Sequence, residues 1–166
     1  MEQENGHYKA VIRTLRRVTT QDRDFLPIIL DPIRNAYLML DDEGGLKTFL
    51  QQQVQEAPFT SVVIMLAETL YQREGPEAAT LFVSNQLQRH PSLRGLDYLM
   101  DLYLTEVSAE ERKRILLLKQ HTHKLLETRP RYRCHRCGFG VAQLHWQCPS
   151  CRNWGTSKPV TGLEGE

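Results

Sequence analysis

The sequence predicts a mainly α protein, a tetratricopeptide-type array of helical repeats followed by a small four-cysteine metal knuckle. Three observations carry this reading. Apolar residues recur at helical spacing through 1–128, landmark residues recur at i and i+33, and all four cysteines fall in two Cys-x2-Cys pairs between Cys134 and Cys151, near the C-terminal end. The domain boundaries that follow are 1–128 for the repeats and 129–166 for the knuckle.

The helical stripe is clearest over 59–71, where Phe59, Val62, Val63, Leu66, Ala67, Leu70 and Tyr71 lie at i, i+3, i+4, i+7, i+8, i+11 and i+12. Gly75-Pro76 reads as a stop and a restart, because glycine suits a positive-φ helix end and proline suits a first turn. The next helix runs to about Arg89 and is expected to bury Ala78, Ala79, Phe82, Val83 and Leu87. His90-Pro91 closes it, since the residue before proline is pushed out of the helical region. A further helix carries Leu93, Leu96, Leu99, Met100, Tyr103 and Leu104 on one side. Strand signals are absent from this part, with no sustained alternation and no hairpin turn.

Pro58 and Pro91, Phe49 and Phe82, and Leu66 and Leu99 all share the i, i+33 spacing. Two helices in each unit of roughly 34 residues is the tetratricopeptide pattern. On that pattern Leu66-Ala67 fill the paired large and small positions, Ala79 is the small residue at the helix crossing, Val83 the bulky one after it, and Pro91 the terminator. The preceding unit is looser, with Ile33, Tyr37, Leu46, Leu50 and Pro58, and with Arg34 where a small residue is expected. The plainer alternative is an antiparallel helical bundle.

Gly6-His7-Tyr8-Lys9-Ala10 followed by Ile12, Leu15 and Val18 reads as the second helix of a repeat with no first helix before it. A half-repeat cannot bury its apolar face alone. The expectation is a fragment of a longer array, or an array completed by another chain, with an adhesive first helix; a homo-oligomer stays open. Ser108 and Glu111 form a capping box that opens the last helix. Ile115, Leu118, Thr122, Leu125 and Leu126 form its stripe, and Pro130 ends it near Thr128.

Composition narrows the function. Net charge is +1 with 25% charged residues, so nothing global points to nucleic acid or to an anionic surface. No apolar run approaches the length of a membrane span, and the N-terminal MEQENGHYKA is polar, so the sequence reads as having neither a membrane span nor a secretory signal. No P-loop, dinucleotide fingerprint or nucleophile motif appears. Asp41-Asp42-Glu43 reads as a solvated turn at a helix end. The expectation is a protein that is not an enzyme.

Cys134-x2-Cys137-x10-Cys148-x2-Cys151 is the pattern of a closed thiolate site. Each tight turn aims two sulfurs at one point, and two facing turns complete a tetrahedron. Clustering in pairs favours a metal over disulfides, and a reducing compartment. Gly138 frees the backbone to turn its amides toward sulfur, and Pro149 stiffens the second turn. Tyr132, Phe139, Trp146 and Trp154 are expected to supply apolar bulk around the site. A domain this small cannot hold itself by burial alone, so metal binding should be coupled to its folding. The ion is one tetrahedral thiolate-bound iron or zinc, since soft ligands suit both. His135 and His145 lie close by, but four cysteines already complete the shell.

The tail residues Tyr132-Arg133-Cys134-His135-Arg136-Cys137-Gly138-Phe139, Leu144-His145-Trp146-Gln147-Cys148-Pro149-Ser150-Cys151-Arg152, Trp154, Lys158-Pro159 and Gly162-Leu163 resemble the C-terminal rubredoxin-like domain of the lipopolysaccharide assembly protein B family. That family also carries tetratricopeptide repeats before the domain. The resemblance implies that Cys134, Cys137, Cys148 and Cys151 are the metal ligands of a rubredoxin-like or zinc-ribbon fold. It implies a non-enzymatic adaptor at the cytoplasmic face of the Gram-negative inner membrane that restrains lipopolysaccharide synthesis by promoting degradation of the deacetylase LpxC by the membrane protease FtsH. Other lipopolysaccharide-synthesis proteins are implied partners. Membrane contact would come only through an N-terminal anchor helix that this chain lacks, so the chain alone is expected to be soluble. The knuckles lie closer together than in true rubredoxins, which weakens the case for electron transfer.

Two other functions compete. Four-cysteine ribbons with basic flanks often grip nucleic acid, and Lys119, Lys124, Arg129, Arg131, Arg133 and Arg136 supply such a run. The near-neutral charge and the repeats oppose that reading. A rubredoxin-type electron carrier is the other.

Overall fold

A computed structural model describes residues 7–166. Gly6, part of the first helical motif, lies outside them. The first helices among the described residues are α1 (Tyr8–Arg16) and the short α2 (Val18–Gln21), followed by a 3-10 turn at Arg23–Phe25. Six helices follow: α3 (Leu26–Leu38), α4 (Glu43–Glu56), α5 (Thr60–Glu74), α6 (Pro76–Arg89), α7 (Leu93–Leu104) and α8 (Ala109–Glu127). The α4, α6 and α8 starts fall at Glu43, Pro76 and Ala109, which repeats the i, i+33 spacing. The α3, α5 and α7 starts fall at Leu26, Thr60 and Leu93, so the described residues contain three such helix pairs and α8 completes the third.

The extra residue in the step 26→60, compared with 60→93, revises the place of Arg34. The sequence pattern set it opposite Ala67. In the structure Ile33 and Ala67 are both fully buried, and Arg34 is the counterpart of Glu68, to which its guanidinium donates at 3.1 Å. No small residue is missing there.

The core lies where helices cross. Leu26, Ile33, Leu50, Val62, Ala67, Ala79 and Val83 are fully enclosed. The α5–α6 junction uses a single residue, Gly75, with φ 94° and ψ 174°. The φ is positive as expected, but the ψ is extended, so the residue ends α5 without a left-handed turn and Pro76 starts α6 at once. Asp41-Asp42-Glu43 is a helix start: the Asp42 carboxylate accepts from the Gly45 amide at 2.8 Å, capping α4. At Ser108 the box is realised from the Glu111 side, whose carboxylate accepts from the Ser108 amide at 3.1 Å and from its hydroxyl at 2.7 Å.

Three expected stripes are narrower than the sequence suggested. In α6 only Ala79 and Val83 are fully buried, while Ala78, Phe82 and Leu87 are not. In α7, Leu96 and Tyr103 face solvent and the buried side is Gly95, Leu99, Met100, Leu102 and Leu104. In α8 the inward row is Ile115, Lys119, Thr122 and Leu126, leaving Leu118 and Leu125 exposed. The cause is position: α8 ends the array and meets a neighbouring helix on one side alone, so most of its leucines have no facing helix. At the other end α1 packs on α3, with Val11 buried and Ile12, Leu15 and Val18 partly buried against the core.

After α8 the chain forms a three-stranded antiparallel sheet of order β2-β1-β3: β1 (Tyr132–Cys134), β2 (Gly140–Val141) and β3 (Ser157–Pro159). The spacer between the cysteine pairs supplies only β2. The third strand comes after the second pair, and its Ser157 sits opposite Cys134.

Candidate metal centre and the cleft beside it

The two cysteine pairs build matching turns. Cys134 donates its amide to the Phe139 carbonyl, and the Gly138 amide donates to the Cys134 carbonyl at 2.8 Å. In the second turn the Cys148 amide donates to the Asn153 carbonyl, and the Arg152 amide donates to the Cys148 carbonyl at 2.9 Å. Both turns place a residue at positive φ after the second cysteine: Gly138 at 77° and Arg152 at 58°.

All four sulfurs lie within 4.8 Å of one another. Cys134 Sγ is 3.7 Å from Cys151 Sγ, and Cys137 Sγ is 3.6 Å from Cys148 Sγ. A disulfide needs about 2.05 Å, so these are separate thiols. Metal–sulfur bonds of about 2.3 Å in a tetrahedron set sulfurs about 3.8 Å apart. The four side chains therefore fit one tetrahedral ion.

Electrostatics favour the same conclusion. The Thr156 hydroxyl, 3.2 Å from Cys134 Sγ, favours the thiolate and, with the Cys137 and Arg136 amides, outweighs burial to bring that thiol down to about 6. The side-chain and backbone amides of Asn153 lower Cys151. At Cys148 the Cys151 amide favours the thiolate. Burial and the adjacent Cys137 and Cys134 sulfurs prevail and push it up to about 11. Four thiolates this crowded would be held together only with a cation among them.

His135 and His145 are exposed and lie outside the group of sulfurs. The aromatic expectation is corrected: Phe139, Trp146 and Trp154 are largely solvent-facing and Tyr132 is partly buried. The sulfurs themselves occupy the small interior, with Cys134 and Cys148 each 1% exposed. Trp146 instead reaches the array and packs on Phe25, ring centroids 5.5 Å apart. The basic run is dispersed as well. Lys119 pairs with Asp97 and Asp101, Arg129 with Glu164, and Arg136 donates to Asn153.

The sheet and the array enclose a cleft of about 1070 Å³, with Arg34, Glu68, Tyr98 and Leu126 on its helical wall and Tyr132 and Val160 on the knuckle wall. Burial, then Glu68, Asp101 and Tyr71, push the Tyr98 phenol up to about 12, so it stays a neutral hydrogen-bonding group. Sequence reasoning missed this cleft. The residues that dock the knuckle on the array are far apart in the chain: Lys158 pairs with Asp22 and Asp24 at 3.0 and 2.8 Å, and no local pattern marks such a pairing.

Fold and site together define a class: a tetratricopeptide-type repeat protein carrying a four-thiol, rubredoxin-like ribbon. Residues 132–159 match the family described as the rubredoxin metal binding domain. The chain is 37% identical over 161 residues, 96% of its length, to lipopolysaccharide assembly protein B of Escherichia coli K12. It is 30% identical over 162 residues to the protein of that name from Haemophilus influenzae. It spans 41% of the length of these relatives. The chain is thus related to the lipopolysaccharide assembly protein B family along nearly all of its own residues. Among the described residues no helix is long and apolar enough to cross a membrane.

Proposed function

We propose that the chain acts as a non-enzymatic adaptor in lipopolysaccharide assembly, and that it promotes FtsH-mediated proteolysis of the deacetylase LpxC at the cytoplasmic face of the inner membrane. The observation that carries the adaptor reading is the cleft between array and knuckle, a partner-sized concave surface with both apolar and charged walls. The names of the relatives support the process. In this reading 1–128 is the docking array and 129–166 the metal domain, Cys134, Cys137, Cys148 and Cys151 are the ligands of one iron or zinc ion, and the metal holds a shape.

The test is an affinity pull-down from native membranes with the full-length protein, beside a Cys134→Ser/Cys137→Ser variant. Recovery of the protease or the deacetylase, reduced in the variant, is expected. Recovery of nucleic acid alone would overturn the proposal.

A further inference from the structure

The segment that follows the second cysteine pair runs along one edge of the array and touches the N-terminal end of each of α3, α5 and α7. Lys158 pairs with Asp22 and Asp24 just before α3 and lies over the Phe25 ring. At α5 the Glu166 carboxylate accepts from the Ser61 amide at 2.9 Å and from its hydroxyl at 2.7 Å, and the Gly165 carbonyl accepts from Thr60 Oγ1. At α7 the Leu163 carbonyl accepts from the Leu93 amide at 2.9 Å, and Arg94 pairs with Glu166. The first amides of a helix have no partner within it, so the tail supplies the acceptors for Ser61 and Leu93.

The same segment is built onto the cysteine site. Ser157 in β3 faces Cys134 in β1, the His135 amide donates to the Thr156 carbonyl, and Thr156 Oγ1 lies against Cys134 Sγ. The loop then closes on itself, with the Glu166 amide donating to the Val160 carbonyl at 2.7 Å. That closure requires glycine at 165, because a Cβ there would lie 1.8 Å from the Val160 carbonyl oxygen.

We propose that the four-cysteine site and residues 156–166 form a metal-dependent strap. With metal held, the strap fixes the spacing of the three helix pairs; without it the strap leaves the helix ends. Pro159, Val160 and Gly165 also line the cleft, so metal occupancy sets the shape of the partner surface. This inference rests on the reading that the cysteines hold a metal.

Amide hydrogen exchange by NMR on the metal-loaded chain tests it. Stripping the metal with a chelator should speed exchange at Ser61 and Leu93 on the order of tenfold, as expected for a lost hydrogen bond, along with the Cys134 and Gly138 amides of the knuckle. Gly165→Ala should open Ser61 and Leu93 with every cysteine in place. Because coupling is reciprocal, it should also weaken metal affinity in competition with a chelating dye. If the chelator frees Cys134 and Gly138 while Ser61 and Leu93 stay protected, the strap is wrong and the metal reading stands. If Gly165→Ala opens the helix ends with metal affinity unchanged, the coupling is wrong. If the purified chain holds no metal and neither pair of amides responds to the chelator, both readings fall.

Discussion

Arg152 stands to Cys148 as Gly138 stands to Cys134: each follows its cysteine pair at positive φ, 58° and 77°, and each donates its amide back to the first cysteine of its pair. Only one of the two is glycine. A side chain in the left-handed region costs about 1–2 kcal/mol, offset in part by the extra freedom glycine has when unfolded.

Arg152→Gly should therefore stabilise the metal-loaded knuckle by about 0.5–1 kcal/mol. Gly138→Val should destabilise it by at least about 1–2 kcal/mol. Thermal unfolding followed by the fluorescence of Trp146 and Trp154 measures both. Equal effects of the two substitutions would contradict the matching of the turns.

Cys148→Ser removes one of two fully enclosed sulfurs. Elemental analysis should find about one iron or zinc per chain in the parent, as a closed four-thiolate site holds one ion, and a clear deficit in the variant. Unchanged metal content would place the ion elsewhere.

Ala79 is fully buried where α6 meets its neighbours. Ala79→Leu forces extra methylenes into a filled crossing and should cost about 1–3 kcal/mol in urea unfolding. Ala78→Leu, one position round the helix and partly exposed, should cost much less.

The Arg34–Glu68 pair links adjacent repeat units across solvent, with side chains 36% and 44% exposed. A double-mutant cycle should return a coupling of about 0.2–1 kcal/mol. It should shrink as salt rises, because exposed charges are screened. A larger, salt-independent coupling would contradict the exposure of the pair.

Glu111 is held below its ordinary 4.5 by the hydroxyl and then the amide of Ser108. A carboxylate lowered in the folded state contributes stability that is complete above the unfolded value and is lost as pH falls through the folded one. Protection of the Ser108 amide, taken relative to its intrinsic exchange rate at each pH, should therefore fall on acidification below about pH 4.5, the unfolded value, and in Glu111→Gln this step should be absent.

Much of the fold was legible because repeats and knuckles announce themselves locally. The recurrence of the repeat needed only pairs such as Pro58 and Pro91, and the four sulfurs needed only their spacing. What local pattern could not show was which apolar residues the array leaves uncovered. Leu118 and Leu125 carry the same helical period as buried positions, and only the end of the stack exposes them. The place of Arg34 was misread for a related reason: a single residue of drift between units is invisible until Glu68 is found opposite. The edge contacts of Lys158 and Glu166 were out of reach altogether, because they join residues from 72 to 136 positions apart.

That separation has a consequence in time. Glu166 follows its partner Ser61 by 105 residues, and ribosomes add about 5–20 residues per second. In a nascent chain the N-terminal end of α5 therefore stands for roughly 5–20 seconds before the residue that fastens it is made. During that interval the open end of α5 is accessible to chaperones.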